Sequence, residues 1–584
     1  MTQCQNESCP SETCWQAGSA TITDLATRHR DPLDRLAGRG VVSAAQSVGA
    51  RGGETWRNGL NSPRKLLILS LFVITLSQLM FAASAAKIYI TPNGTAQGAC
   101  TTNPQTPAWF NNSANWGSGS GQIGPGTTVT LCGTFTGTAN QQLLTIKGSG
   151  SSGNPITILF DTGTVLNSPY WSNAGAIIAS NVSWITIDGG SNGTIQNTAN
   201  GTGLANQQPS AAIIALPCSN CEFRNLIISN LYVHTGGGCE IDQTQVNAIK
   251  FSGQNVLVHD NTVHDVGWSI WDDYGNNDTN HQVYNNDVSH SDHTLIFAGN
   301  GLTGVNLGAQ FYNNHIHDFS NWDTTGDCYH HDGLHGFGSS GSPAMTLYFY
   351  NNQCDGALGN NFNACLFMEG TGSGTPWTGN SAGSTYYAFN NVFAVNGSHS
   401  AIQAALGNGD LFVNNTVLCT DSLSGDISYD AGSSTGNSFK NNAEQGCGYF
   451  MLWNGFGVNN LSTDVDHNAY ASAQGYNAFN YTDKGIDTSS FPTWQSQCGC
   501  DSHGLYNASS LNISSTTYLP NSGSPVIGAG ANLTNLCTGN LAPLCSDKAG
   551  VLRPATGGWD DGAYQYSSGA GIPAPPTGLT AVIQ

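Results

Sequence analysis

The 584-residue sequence predicts an all-β solenoid built from stacked rungs about 25 residues long. Three observations predict it. An Asn-ended motif recurs at nearly constant spacing. Short segments between its copies alternate apolar and polar residues as strands do, with no helical apolar spacing in that region. Gly, Asn, Ser and Thr dominate a composition that stays rich in aromatic and β-branched residues, which suits strands joined by many turns.

The motif is an apolar strand, a polar pair ending in Asn, and another apolar residue. It reads VLVHDNTV, QVYNNDV, QFYNNHI, YFYNNQC, YAFNNVF, LFVNNTV, SFKNNA and DVDHNAY. The second polar residue is Asn261, Asn286, Asn314, Asn352, Asn391, Asn415, Asn442 and Asn468, at intervals of 25, 28, 38, 39, 24, 27 and 26. Two intervals thus carry insertions of about a dozen residues on the base period. One unit cannot bury its own apolar face, so the units must stack. Asn suits the repeated corner because it tolerates a left-handed turn and its amide can hydrogen-bond up a column of copies.

The ends read differently. Residues 1–62 carry Arg28, Arg30, Arg35, Arg39, Arg51 and Arg57 and read as an over-extended start or leader. Residues 63–86, PRKLLILSLFVITLSQLMFAASAA, join a basic pair, an apolar run and a small-residue end, the layout of a secretory signal peptide. The mature chain is expected to begin near Ala86 or Lys87, with no membrane span. Fourteen cysteines then remain, from Cys100 to Cys545, and an even set behind such a leader predicts disulfides in an oxidising compartment. Cys354/Cys365 and Cys537/Cys545 are close enough in sequence to pair. Cys218-x-x-Cys221 has no second C-x-x-C to complete a zinc site, so it reads as structural. Beyond position 86 stand 31 acidic and 8 basic residues, a net charge near −23, which argues against nucleic acid as a partner.

These repeats resemble the right-handed parallel β-helix superfamily, the pectate-lyase-like fold. The tail segments SGSPVIGAG (522–530), DKAGVLRP (547–554) and DDGAYQY (560–566) resemble the closing segment of many secreted bacterial members. The resemblance covers residues 87–568 and implies a monomeric β-helix, secreted or at the bacterial cell surface, that meets extracellular polysaccharide. Residues 569–584, with IPAPPTGLTAVIQ, look like a Pro-rich linker entering a fibronectin type III-like strand.

A second landmark is a glycine ending the next strand of each rung: Gly253, Gly275, Gly299, Gly338 and Gly370. Four residues earlier stand Ile249, Trp271, Leu295, Leu334 and Leu366, a column expected inward. Three residues earlier stand Lys250, Asp272, Ile296, His335 and Phe367, expected outward. At the strand entrance the column is Asn247, Ser269, His293, Asp332 and Ala364. With rungs about 4.8 Å apart, Lys250 should neighbour Asp272, and His293 should neighbour Asp332. Asp273 falls where other rungs carry Phe251, Phe297 and Met368, and a carboxylate buried there needs a partner.

The stretch YHHDGLHGFG (329–338) concentrates titratable groups in a chain that is only 9% charged, and it closes a long insertion, so it marks the candidate site. His264/Asp265 and His317/Asp318 stand at equal offsets from their Asn corners, as stacked turn residues would. In the resembled superfamily, lyases and epimerases of uronate polymers abstract a C5 proton with Lys, Arg, His or Tyr, and a cation, often Ca²⁺, neutralises the carboxylate. Tyr329, His330, Asp332 and His335 resemble the Tyr/Asp/His clusters of alginate epimerases and lyases. That implies Lys250 or His335 as base, Tyr329 or His330 as acid, and Asp332 orienting them. It also implies Asp272 and Asp273 as Ca²⁺ ligands, and His293, Trp271, His317 and Glu369 as substrate contacts, with no organic cofactor. Two alternatives stay open. A glycoside hydrolase would pair carboxylates among Asp272, Asp273, Asp332 and Glu369, although the N-T-D segment of polygalacturonase-like members does not occur and LHG replaces GHG. A non-catalytic solenoid would only bind glycans.

Overall fold

The computed structural model describes residues 87–200, 206, 208–232, 246–275, 278–299, 308–319, 331–338, 346–359, 362–368, 385–396, 400–405, 409–420, 427–430, 436–454, 464–472, 478–481 and 484–567. They form a right-handed parallel β-helix. Three ladders of parallel strands run its length, and each rung visits them in turn. Val246–Phe251 lies in the first ladder and Leu257–His259 in the second. Thr262–Asp272 supplies the third with its start and returns to the first with its end. The pattern repeats in register through Asp287–Gly299, His331–Gly338, Phe362–Met368 and Ser400–Ala405. Among these strands the described antiparallel pairing is that of Phe479–Tyr481 with Ile486–Thr488, near the C-terminal end. No helix among the described residues is long and apolar enough to cross a membrane.

The expected Asn column exists. Asn261, Asn286, Asn314, Asn352, Asn391, Asn415, Asn442 and Asn468 are all essentially buried between the second and third ladders. In each step one side-chain oxygen accepts both the backbone and the amide N–H of the Asn below; Asn352 Oδ1, for example, accepts from Asn314 N at 2.9 Å and Asn314 Nδ2 at 3.0 Å. The same amide nitrogen also donates to a strand carbonyl of the rung behind, as Asn352 Nδ2 does to Phe311 O at 2.9 Å. The column starts at Asn261, which accepts from Leu226 N, and ends at Asp501, whose Oδ1 accepts from Asn468 while Oδ2 accepts the Tyr470 hydroxyl at 2.8 Å. One detail differs from expectation. The left-handed residue is the first of each polar pair (Asp260, Asn285, Asn313, Asn351, Asn390, Asn414, Asn441, His467), with φ between 54° and 58° across these positions. The turn and the ladder therefore use two different residues.

The twelve described cysteines pair as Cys100–Cys132, Cys218–Cys221, Cys354–Cys365, Cys419–Cys447, Cys498–Cys500 and Cys537–Cys545. Both expected pairs form, and Cys218-x-x-Cys221 is a disulfide. The C-terminal segment runs back along the flank. Leu533, Leu544 and Trp559 cover Tyr350, Phe389 and Val413. Residues of the left-handed column hold it: Lys548 Nζ donates to Asn351 O at 2.6 Å, Arg553 Nη2 to Asn390 Oδ1 at 2.8 Å, Asn414 Nδ2 to Asp560 O at 2.9 Å and Asn441 Nδ2 to Ala531 O at 2.9 Å.

Candidate functional site

The outer face of the first ladder gathers five of the eight sequence-selected residues that the structure describes: Lys250, Trp271, His293, Asp332 and His335. Its register is Lys250, Trp271, Ile296, His335, Phe367 and Gln403 in one column, and Asn247, Trp268, His293, Asp332, Ala364 and Ser400 in the other. Trp268, Ile296 and Ala298 pack with Trp271 as an apolar patch separate from the interior, where Ile270, Leu295, Phe297 and Leu334 lie.

This register corrects the expected one at a single rung. Trp271 is not in the inward column; Ile270 is. Lys250 neighbours Trp271 rather than Asp272, and its ammonium sits 3.3 Å from the Trp271 ring centroid and 3.2 Å from Asp273 Oδ2. Asp272, not Asp273, occupies the interior position between Phe251 and Phe297. The cause is the landmark: Gly275 stands three residues past Asp272, whereas Gly253 and Gly299 stand two past Phe251 and Phe297, the residues in register with Asp272. A side chain in the apolar interior needs a partner, and Asp272 has one. Its two oxygens lie 2.9 and 2.8 Å from His281 Nδ1, while His281 Nε2 faces the Gly253 carbonyl, all fully buried. Burial raises the Asp272 carboxyl above the usual range, with His281 opposing. Burial pulls His281 down, but Asp272 outweighs it and the imidazole stays above its ordinary value.

Further along the same face, His293 and Asp332 are neighbours as expected. His293 Nε2 and His335 Nδ1 each lie 3.5 Å from Asp332 Oδ2. Asp292, which sequence reasoning missed, orients the group: its Oδ2 meets His293 Nδ1 at 2.7 Å and its Oδ1 meets His331 Nε2 at 3.0 Å. The His335 ring stacks on His293 at 5.1 Å and meets Phe367 at 4.9 Å with the rings tilted by 35°. Gly333 is required here, because a Cβ on it would meet the Cys365 carbonyl of the next rung at 2.2 Å. His293, Asp332 and His335 are 2%, 0% and 6% exposed. Lys250 lies three rungs from His335, about 14 Å along the ladder, so the two are not one acid–base pair. Burial pulls the Lys250 ammonium down against the pull of Asp273, and raises Asp273 in spite of Lys250.

The expected calcium ligands do not fit a calcium cage. Ca²⁺ takes six to eight oxygens, whereas Asp272 is held inside by His281 and Asp273 outside by Lys250. The hydrolytic pairing of Asp272 with Glu369 loses Asp272 to the interior for the same reason. Groups that could hold a metal do exist: the ligand atoms of His293, Asp332 and His335 all lie within 4.8 Å of one another. His317 stands elsewhere, on the third ladder, with Asp318 and Asp287. Tyr329, His330 and Glu369 lie outside the described residues.

Against known proteins, no family model matches the chain and no curated protein matches it. Solved structures similar to it include XylC in complex with xylose, at 9% identity and a TM-score of 0.37 over 82% of this chain and 98% of that one. A PL6 family polysaccharide lyase, Pedsa3628 from Pseudopedobacter saltans, gives 11% and 0.32 over 76% and 96%. The PL6 family alginate lyase AlyGC gives 12% and 0.30 over 74% and 57%. A likeness this distant does not speak to chemistry.

Proposed function

We propose that this β-helix acts on an extracellular polysaccharide, and that it cleaves a uronate polymer by β-elimination on the outer face of its first ladder. The observation that carries the reading is the convergence of His293, Asp332 and His335 on the ladder face that also bears Lys250 and Trp271. His335 is the base that takes the C5 proton, and Asp332, set between two imidazoles, fixes how both rings point. His293, braced by Asp292, stabilises the negative charge that develops on the sugar carboxylate. Three rungs away, Lys250 offers a cation to the carboxylate of another sugar unit and Trp271 a face for its ring, so the polymer lies along the helix axis. The proton donor to the leaving oxygen is expected from Tyr329 or His330. Six disulfides and the leader-like segment support an extracellular setting.

A second reading, a glycan-binding solenoid without turnover, is favoured by the burial of the His293–Asp332–His335 group. Incubation with pectate, alginate and neutral glycans separates the two. Ultraviolet absorbance of unsaturated product together with new reducing ends, both lost in His335→Ala, supports the lyase. Reducing ends alone mean hydrolysis. Neither signal, with glycan retention that Trp271→Ala abolishes, means a binding protein.

A further inference from the structure

A second group of histidines and carboxylates lies on the third ladder, away from the site above. Asp287 pairs in register with His315, and His317 follows two residues on, so all three project outward from adjacent rungs. Asp287 Oδ2 is 3.3 Å from His315 Nδ1, and Asp287 Oδ1 is 3.4 Å from His317 Nε2. These are long for hydrogen bonds between charged groups. Asp287 turns one oxygen to each ring, and one ligand atom from each of the three residues lies within 4.8 Å of the others, close enough to converge on a single ion.

The other nitrogen of each ring is already committed. His315 Nε2 lies 2.9 Å from Asp355 Oδ1, and His317 Nδ1 lies 2.8 Å from Asp318 Oδ2. Both outer carboxylates are themselves fixed, Asp355 by Tyr518 Oη at 2.8 Å and Gln353 Nε2 at 2.6 Å, and Asp318 by Ala357 N at 2.9 Å. Such outer carboxylates hold metal-binding imidazoles in one tautomer and one orientation. If each ring gives its N–H to its own carboxylate, two nitrogen lone pairs face the Asp287 carboxylate, and three electron-rich groups converge. Two extra protons would relieve this only by charging two rings stacked 4.1 Å apart. One divalent ion relieves it without that repulsion.

We propose that Asp287, His315 and His317 bind one divalent transition-metal ion of the zinc class. Two imidazoles and one carboxylate suit Zn²⁺ or Co²⁺ and do not suit Ca²⁺ or Mg²⁺. Asp287 is half exposed, at 50%, so water can complete the coordination. The ion clamps two neighbouring rungs beside the Asn column, where Asp287 and His315 directly follow Asn286 and Asn314, with Asp355 and Tyr518 tying the C-terminal segment to the same point.

The test is Zn²⁺ titration of the metal-stripped full chain by calorimetry, alongside Asp287→Asn, His317→Ala and, as a control at the separate Asp466–His467–His503 group, His503→Ala. The wild type and His503→Ala take up one equivalent that Asp287→Asn and His317→Ala lose, or bind at least about 100-fold more weakly. Zn²⁺ raises the thermal midpoint of the wild type and leaves that of Asp287→Asn unmoved, which also verifies that the variant folds. Co²⁺ gives the wild type tetrahedral ligand-field bands that Asp287→Asn lacks. Uptake by Asp287→Asn and His317→Ala equal to that of the wild type, or no uptake by the wild type, overturns the assignment.

Discussion

The ammonium of Lys250 is shared between an aromatic ring and a carboxylate: it lies 3.3 Å from the centroid of Trp271 and 3.2 Å from Oδ2 of Asp273. With side chains only 20% and 17% exposed, neither charge is well solvated alone. Asp273→Asn should therefore lower stability by about 1–3 kcal/mol, because it strands a half-buried cation. Lys250→Met with Asp273→Asn should recover most of that loss. Urea unfolding of the two variants checks it; equal destabilisation in both would mean the pair is not coupled.

On the lyase reading, His335 and Lys250 do different work because three rungs separate them. His335→Ala should cut kcat by about 10²–10⁴-fold, the usual contribution of a positioned base. Lys250→Met should act mainly on KM, since it removes a contact made equally by substrate and transition state. Steady-state kinetics on a defined uronate oligomer distinguishes the two, and a Lys250→Met loss confined to kcat would contradict the assignment.

Asn352 sits in the middle of the buried column. Its replacement by Ala removes the acceptor of Asn314 N and Nδ2 and the donor to Phe311 O and Asn391 Oδ1. Four buried polar groups lose a partner, so a loss of about 3–5 kcal/mol is expected. Asn351→Gly, one residue earlier at the left-handed turn position, should cost far less, because φ of 56° suits glycine. Denaturant midpoints of the two single variants make the comparison, and a cost for Asn351→Gly as large as that for Asn352→Ala would contradict it.

Asp501 ends the column with a carboxyl where the other rungs use an amide, and burial pushes it up to about 6. A folded-state value above the unfolded one means that the protonated form is favoured in the native state. Its stabilising contribution is thus full below about pH 4 and is lost as pH rises through about 6. Asp501→Asn should remove that slope and be the more stable form at pH 7, by up to about 3 kcal/mol. Unfolding free energies from pH 4 to 7.5 test this; parallel curves for the two proteins would rule it out.

The repeat made the fold legible, because a buried Asn must recur once per rung wherever its amide is handed on. The pairing of His293 with Asp332 was legible for the same reason: both stand at a strand entrance, where register follows spacing. Register failed at Trp271 and Asp272 because the marker chosen, Gly275, belongs to a turn, and turn lengths vary while strands must stay in step. Aligning on Ile270 would have found it. His281 is invisible as a partner because it comes from a different corner, and Asp292 because, adjacent to His293, it also reaches His331 of the next rung. The Asp287–His315–His317 group is half legible: His317 stands out as a turn residue and an expected substrate contact, but its partner Asp287 lies a full rung away.

The tail that runs back along the flank has a consequence for the order of events as the chain is made. The rungs bearing Asn351, Asn390, Asn414 and Asn441 emerge long before Lys548, Arg553 and Asp560, yet those late residues supply their outer partners. Stacking can proceed from the N-terminal end as the chain appears, but Tyr350, Phe389 and Val413 stay uncovered until the last segment arrives. A chain stopped short of Leu533 is therefore a stacked helix with an open greasy seam, and the quality check on this protein is written between Ala531 and Asp560.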